Sequence, residues 1–156
     1  MRADELIAAP HSFLKGMCEQ HLSLLSEAAM RASFAEGEWI FREGEPANRF
    51  YLIQEGSVFI TSRTPGHSQI VIQTVGSGYA LGWSWLFEPY TWHFDARADE
   101  PTRALFFHAA RLREQCEEDP KLGYELMKRI SRVVIHRLQA ARLKLLNAYA
   151  ARDIEM

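Results

Sequence analysis

Two cysteines in 156 residues, Cys18 and Cys116, are too few for an iron-sulfur cluster held by four thiolates or for a cysteine-rich zinc site. Neither Gly-Met-Cys18 nor Glu-Gln-Cys116-Glu-Glu sets a cation beside the thiol, so both are expected to be structural. No apolar run approaches the roughly 18 residues that a membrane-spanning helix needs, and the first residues, with Asp4 and Glu5, lack the layout of a signal peptide. The expectation is a cytoplasmic chain with no membrane attachment and reduced thiols. A cationic excess is missing too: 18 Lys+Arg against 20 Asp+Glu leave a formal net charge of −2, with no overall field to hold nucleic acid. The chain also has no G-x-S-x-G elbow, no Walker loop and no paired catalytic carboxylates, and Ser84 has no activating base beside it in sequence, so an enzyme is not expected.

What is present fits one hydrophobic core: 47% of the residues are hydrophobic and 24% charged. Within 11–29, Phe13, Leu14, Met17, Leu22, Leu24, Leu25 and Ala28 recur at helical spacing and predict two short helices. A further segment before Pro10 has room for a short helical turn. From 30 to 108 the pattern changes to short apolar alternations such as RFYLIQ, SVFITS, QIVIQTV, TWHFDARA and TRALFFH. They are broken at Glu36-Gly37, Gly44-Glu45-Pro46, Glu55-Gly56, Pro65-Gly66 and Gly76-Ser77-Gly78. Six or more antiparallel strands so spaced predict a closed or sandwiched β-roll. Gly44 and Gly56 fall at hairpin turns, and Phe41, Tyr51, Ile53 and Val58 alternate toward the inside.

Residues 109–148 read as two helices separated at Asp119-Pro120, where proline suits a first helical turn. The second runs from Lys121 to about Ala148. In it Met127, Ser131, Val134, Leu138, Ala141, Leu145 and Ala148 recur in alternating steps of four and three, the seam of a short coiled coil. Val134, Leu138, Ala141 and Leu145 are therefore the candidate contacts of a homodimer; the same stripe packed on the roll is the alternative. Charge sharpens the division. Residues 1–120 hold 10 basic and 17 acidic side chains, whereas 121–152 hold 8 and 1.

Two helices, a roll of about eight strands, a short helix and a long helix follow one another in the cyclic-nucleotide-binding domains, the sensor module of the catabolite activator protein and its relatives. The segment FREGEPANRFYLIQEGSVFI resembles the strand-turn-strand signature of that family, with Phe41, Gly44, Asn48, Tyr51, Leu52, Ile53, Gly56 and Val58 each of the type the pattern holds there. The resemblance covers roughly residues 11–147. It implies a mainly β domain with flanking helices, a double-stranded β-helix (jelly roll) with N-terminal helices and a long C-terminal helix.

It also implies a ligand cassette at Gly76-Ser77-Gly78-Tyr79-Ala80-Leu81-Gly82-Trp83-Ser84-Trp85-Leu86-Phe87. In the family a helix start there offers backbone N–H groups to the cyclic phosphate, a glutamate takes the ribose hydroxyl and an arginine pairs with the phosphate. Here Leu81-Gly82 match the apolar-glycine pair, but Trp83 stands in the glutamate's place. Counting back from Arg97-Ala98 sets Trp92 in the arginine's place, His93 at the following small hydroxyl residue and Phe94 at the alanine. A charge-assisted hydrogen bond is worth about 1.5–3 kcal/mol, so losing both anchors weakens a cyclic nucleotide by roughly 10² to 10⁴. On the long helix, Ala141 and Arg142 replace the hydroxyl residues that face the base; Arg142 could stack on a base or pair with an anion.

Seven of the sixteen residues from Tyr79 to Phe94 are aromatic, against 12% in the chain as a whole. Three arrangements fit: a site filled by its own side chains, a pocket for an apolar or planar small molecule, or an exposed patch for a protein partner. Backbone N–H groups from Gly82 to Trp85 leave a fourth route, a cyclic nucleotide held by unusual contacts. His93 and Asp95 have H-x-D spacing and His108 follows, so a two-His-one-carboxylate iron site has to be considered. Strand alternation instead turns His93, Asp95 and Arg97 outward, opposite Trp92, Phe94 and Ala96, and makes Asp95 and Arg97 a surface pair. Haem would need only one histidine, and six are present.

Transcription factors of the family carry a winged helix-turn-helix after the long helix. Only eight residues follow Ala148 here, so a single domain over 1–156 without sequence-specific DNA contacts is expected. Lys128, Arg129, Arg132, Arg137, Arg142 and Lys144 read as a solvated basic face. The functional expectation is a non-catalytic regulatory module that does not bind cyclic nucleotide in the usual way. A constitutive interaction module with a filled pocket is the rival.

Overall fold

The structure, a computed structural model, describes residues 12–66 and 68–155. A short 3-10 turn at Ser12–Leu14 precedes α1 (Glu19–Ala28). Seven strands follow: β1 (Met30–Phe34), β2 (Trp39–Phe41), β3 (Arg49–Glu55), β4 (Ser57–Arg63), β5 (Gln69–Gly76), β6 (Asp95–Ala98) and β7 (Thr102–His108). Helices α2 (Ala109–Glu118) and α3 (Pro120–Glu155) complete the order. The segment before Pro10 lies outside the described residues.

All strand pairings are antiparallel. They form two sheets, β1-β7-β3 and β2-β6-β4-β5, which face one another as a jelly roll. β3 explains why the roll holds so many aromatics. Its residues Phe50, Tyr51, Leu52 and Ile53 are all buried, so alternation in and out of a single core does not describe it. Tyr51 meets Phe34, Phe41 and Phe106 on one face. On the other, Phe50 packs on Phe13, Trp85 and Phe107. A strand covered on both faces needs apolar residues at consecutive positions, which is what RFYLIQ supplies.

The expected strand TWHFDARA forms a ladder over Asp95–Ala98, with one isolated bridge from Thr91 to Pro46. Upstream, Gly44 N–H donates to the Trp92 carbonyl at 2.8 Å and Trp92 N–H to the Glu45 carbonyl at 3.0 Å, so this backbone is spent on the 44–46 turn rather than on a ladder. Helix α3 runs to Glu155, beyond the expected end near Ala148, because no proline or glycine interrupts the chain after Gly123. It docks through Leu122, Leu126 and Ile130, with Val133 beside them. Cys116, half-buried under this contact, has its thiol pushed up to about 11 by desolvation, with Glu117 and Asp119 adding to the shift. No helix among the described residues is long and apolar enough to cross a membrane.

The β3–β4 hairpin turns on Gly56, at φ +105°. A β-carbon there would sit 2.5 Å from Thr102 Oγ1 and 2.7 Å from the Pro101 carbonyl oxygen. Gly76, in contrast, has ordinary φ and nothing within 4 Å of that position. Gly56→Ala is expected to cost about 2–6 kcal/mol, from backbone strain plus overpacking, whereas Gly76→Ala stays within about 1 kcal/mol. Urea unfolding of the two variants checks this; equal midpoints would show that the hairpin does not require its glycine.

Candidate functional site

The segment between β5 and β6 is laid across β3 by backbone bonds. Ile53 N–H donates to the Tyr79 carbonyl at 3.0 Å, Gly78 N–H to the Ile53 carbonyl at 2.8 Å and Leu81 N–H to the Tyr51 carbonyl at 3.0 Å. Leu81 is buried and Gly82 follows at φ +119°. The next turn is closed by Leu86 N–H on the Trp83 carbonyl at 3.0 Å.

Three of its aromatic residues, Trp85, Trp92 and Phe94, are buried in the roll. Trp92 lies flat on Phe41, with ring centroids 3.7 Å apart and planes 6° apart. Phe94 packs against Phe41 at 5.9 Å and edge-on against Trp83 at 5.4 Å. Trp85 is fully buried against Phe50 at 4.7 Å, its indole Nε1 without a hydrogen-bond partner among the described residues. A β-carbon built on Gly82 would lie 3.3 Å from Trp92 Cζ3 and 3.4 Å from Phe94 Cζ. The rings thus lie against Gly82, the residue that the resemblance matches to the family's apolar-glycine pair. Tyr79 and Phe87 remain exposed, so the seven aromatics divide between filling and surface.

Two polar residues of the segment are paired with one another. Ser84 is fully buried, and its Oγ shares a hydrogen bond with His93 Nδ1 at 3.0 Å while His93 itself is exposed. This pair was invisible in sequence because the partners are nine residues apart across a turn; the buried hydroxyl is closed to a substrate. The expected surface pair of Asp95 with Arg97 is not formed. Asp95 is buried, accepts the Glu43 N–H at 2.7 Å and pairs with Arg42 Nε at 3.4 Å. The reason is local: β6 begins at Asp95 beside the 42–46 turn, whose free N–H a carboxylate can take. Arg97 instead lies over Trp39, its guanidinium carbon 5.5 Å from the ring. No three His, Cys, Asp or Glu side chains converge on one point among the described residues.

On α3 two arginines differ in their surroundings. Arg142 is exposed on the distal half of the helix, whereas Arg137 reaches the cassette, as Arg113 of α2 does by donating from Nη1 to the Trp85 carbonyl at 2.5 Å. Arg137 is 7% exposed, and its guanidinium carbon lies 4.8 Å from the Trp83 ring and 4.5 Å from the Phe94 ring. Its Nε donates to Gln73 Oε1 at 3.0 Å, while Nη1 is buried with no hydrogen-bond partner among the described residues. Burial lowers its pKa to about 10, which leaves it a cation at neutral pH. One signal pointed here: Leu122, Leu126, Ile130, Val133 and Arg137 follow one another at steps of four and three on the docking face, so a charge at 137 falls in a buried phase.

Beside Arg137 opens a cleft of about 410 Å³, between Gln73–Gly76 of β5, the Tyr79–Ala80 stretch and residues 129–137 of α3. Arg129 closes one end, donating from Nη1 to the carbonyls of Phe13 at 3.0 Å and Lys15 at 2.9 Å, with Glu125 3.3 Å from its Nη2. The expected seam sits about a quarter turn from the docking face. Leu138 and Leu145 are 68% and 59% exposed, Ala141 is exposed, and Val134 is half-buried against the roll.

A jelly roll with a glycine-bearing cassette laid across β3 and a long C-terminal helix packed on the core is the architecture that the described residues form. The chain belongs to the cyclic nucleotide-binding domain family, whose sequence profile matches residues 31–119. It is 26% identical over 129 residues to a CRP-like cAMP-activated global transcriptional regulator of Mycobacterium tuberculosis, across 83% of this chain and 57% of that protein. The chain therefore spans a little over half the length of the curated relatives it matches most extensively. Among solved structures it is similar to a protein of Geobacter metallireducens GS-15 assigned as cyclic nucleotide-binding (29% identity, TM-score 0.76, 88% of this chain and 98% of that one). It also shares its fold with a cyclic nucleotide-binding domain of Methylobacillus flagellatus (18% identity, TM-score 0.83, 94% and 86%).

Proposed function

We propose that this chain is a non-catalytic, cytoplasmic regulatory module of its family that does not hold a cyclic nucleotide through its cassette, and that signals through the placement of α3. One observation supports the first part: the Trp92 and Phe94 rings pack against Gly82, 3.3–3.4 Å from where a β-carbon would stand, beside the backbone that in this reading would meet a cyclic phosphate. Trp83 and Trp92 also stand where the resemblance puts a carboxylate and a guanidinium, so both side-chain anchors are replaced by indoles. The second part rests on Arg137, which ties α3 to Trp83 and Phe94. Any change in those rings alters the seat of the helix.

The outer face of α3 supports a homodimer in this reading. Met127, Leu138 and Leu145 share one stripe and are each more than 40% exposed, an arrangement that a second copy of the same helix would cover. A constitutive protein-binding module is the second reading, favoured by exposed Tyr79 and Phe87 beside a filled cassette.

Titration of tryptophan fluorescence with cyclic AMP and cyclic GMP is expected to show no saturation at micromolar nucleotide, consistent with an affinity roughly 10² to 10⁴ below that of an anchored site. Micromolar saturation would overturn the proposal. In sedimentation velocity the full chain is expected to run as a dimer and Leu138→Glu as a folded monomer. A monomeric wild type across the accessible concentrations would remove the helix seam as an interface.

A further inference from the structure

The cleft between β5 and α3 is separate from the filled cassette: Gly82, Trp92 and Phe94 do not line it. Its charge is one-sided. Arg129, Arg132, His136 and Arg137 border it, and no carboxylate does so among the described residues. Glu125 is engaged with Arg129 from the helix side. The uncompensated group is Arg137, whose Nε is held by the neutral amide of Gln73, whose flat faces rest on Trp83 and Phe94, and whose Nη1 is left without a partner. A buried cation without a counter-ion is costly, and the unpartnered Nη1 of Arg137 leaves a charged donor that an oxyanion could satisfy. Val75, Ala80, Val133 and Phe13 line the rest with apolar surface.

From this geometry we infer that the cleft binds a small organic oxyanion, its carboxylate or phosphate paired with Arg137 and its apolar body laid against Val75 and Val133. This rests on the regulatory reading above and names the ligand class of the module. The ligand enters along the helix rather than through the cassette. By pairing with Arg137 it would act on the residue that ties α3 to Trp83 and Phe94, which gives it differential affinity for two placements of the helix. A cleft of this size holds a single-ring compound, and a probe that supplies only the anion and one ring is expected to bind on the order of millimolar.

The test uses the full chain with benzoate, phenyl phosphate and the neutral isostere benzamide, read by tryptophan fluorescence and by the melting temperature. Saturable quenching or enhancement with benzoate or phenyl phosphate, and none with benzamide, is expected. Whichever anion responds more strongly separates a carboxylate from a phosphate ligand. In Arg137→Met the response is expected to weaken roughly 10- to 100-fold, the loss of a charge-assisted pair. In the absence of anion that variant is expected to melt no lower than wild type, because the unpaired charge has gone. If Arg137→Met does not fold, Arg137→Lys keeps the charge without the planar fork and is expected to bind more weakly than wild type while melting normally. Equal responses to benzoate and benzamide, undiminished binding in the Arg137 variant, or no saturable response to either anion would overturn the inference. The last result with cyclic nucleotides also silent leaves the regulatory reading standing on a protein partner. Micromolar cyclic nucleotide binding would instead overturn that reading itself.

Discussion

The indole of Trp92 and the ring of Phe41 lie face to face at 3.7 Å, and much of the structure is arranged around that contact. Phe41 belongs to β2, the edge strand whose register on β6 shifts between Trp39 and Phe41. Trp92 belongs to the segment that leads into β6, and its backbone is bonded to the 44–46 turn. Stacking these two rings fastens the turn after β2 to the exit of the cassette. Phe94 and Trp83 are then stacked edge to face beside them, and Gly82 is left with ring carbons where other side chains would need space. Aromatic pairs of this kind contribute about 0.5–1.5 kcal/mol beyond the area they bury, so a cluster of them is a rigid plug rather than a loose filling.

Arg137 turns that plug into something the helix can feel. Its guanidinium sits on Trp83 and Phe94, and among the described residues no carboxylate lines the cleft beside it. The attraction between a cation and a ring face is stronger when both are shielded from water, which offsets part of the cost of burying the charge but leaves an open donor. A contact of that kind is a poor permanent clamp and a good sensing one, because an anion supplied from outside can improve it. The exposed stripe through Leu138 and Leu145 lies further along the same helix. The docking face, which carries Arg137, and the candidate dimer seam are therefore two sides of one helix.

The roll was readable in the sequence because its signals are local. Gly56 announces a hairpin, and RFYLIQEGSVFI announces two strands, although consecutive burial of Phe50, Tyr51, Leu52 and Ile53 was not apparent until Trp85 and Phe13 were seen covering the second face. The abundance of aromatics in the cassette was equally plain; their destination was not. Strand alternation correctly turned Trp92 and Phe94 inward and His93 outward, and failed at Asp95, where a turn N–H 52 residues away in sequence wanted a carboxylate. Arg142 looked like the helix residue nearest a ligand because the resemblance pointed there. Arg137 was grouped with a solvated basic face because arginines on long helices are commonly exposed, and only its phase relative to Leu126 and Val133 marked it as different.

The central claim is that the aromatic rings, not a ligand, occupy the face of Gly82. Its most direct measurement is the proton spectrum of the free protein around that residue. The account predicts nuclear Overhauser contacts between the Gly82 α-protons and the rings of Trp92 and Phe94, with ring-current shifts on those α-protons, all unchanged by millimolar cyclic AMP. Absence of those contacts in the free protein, or their loss when cyclic AMP is added, would contradict it.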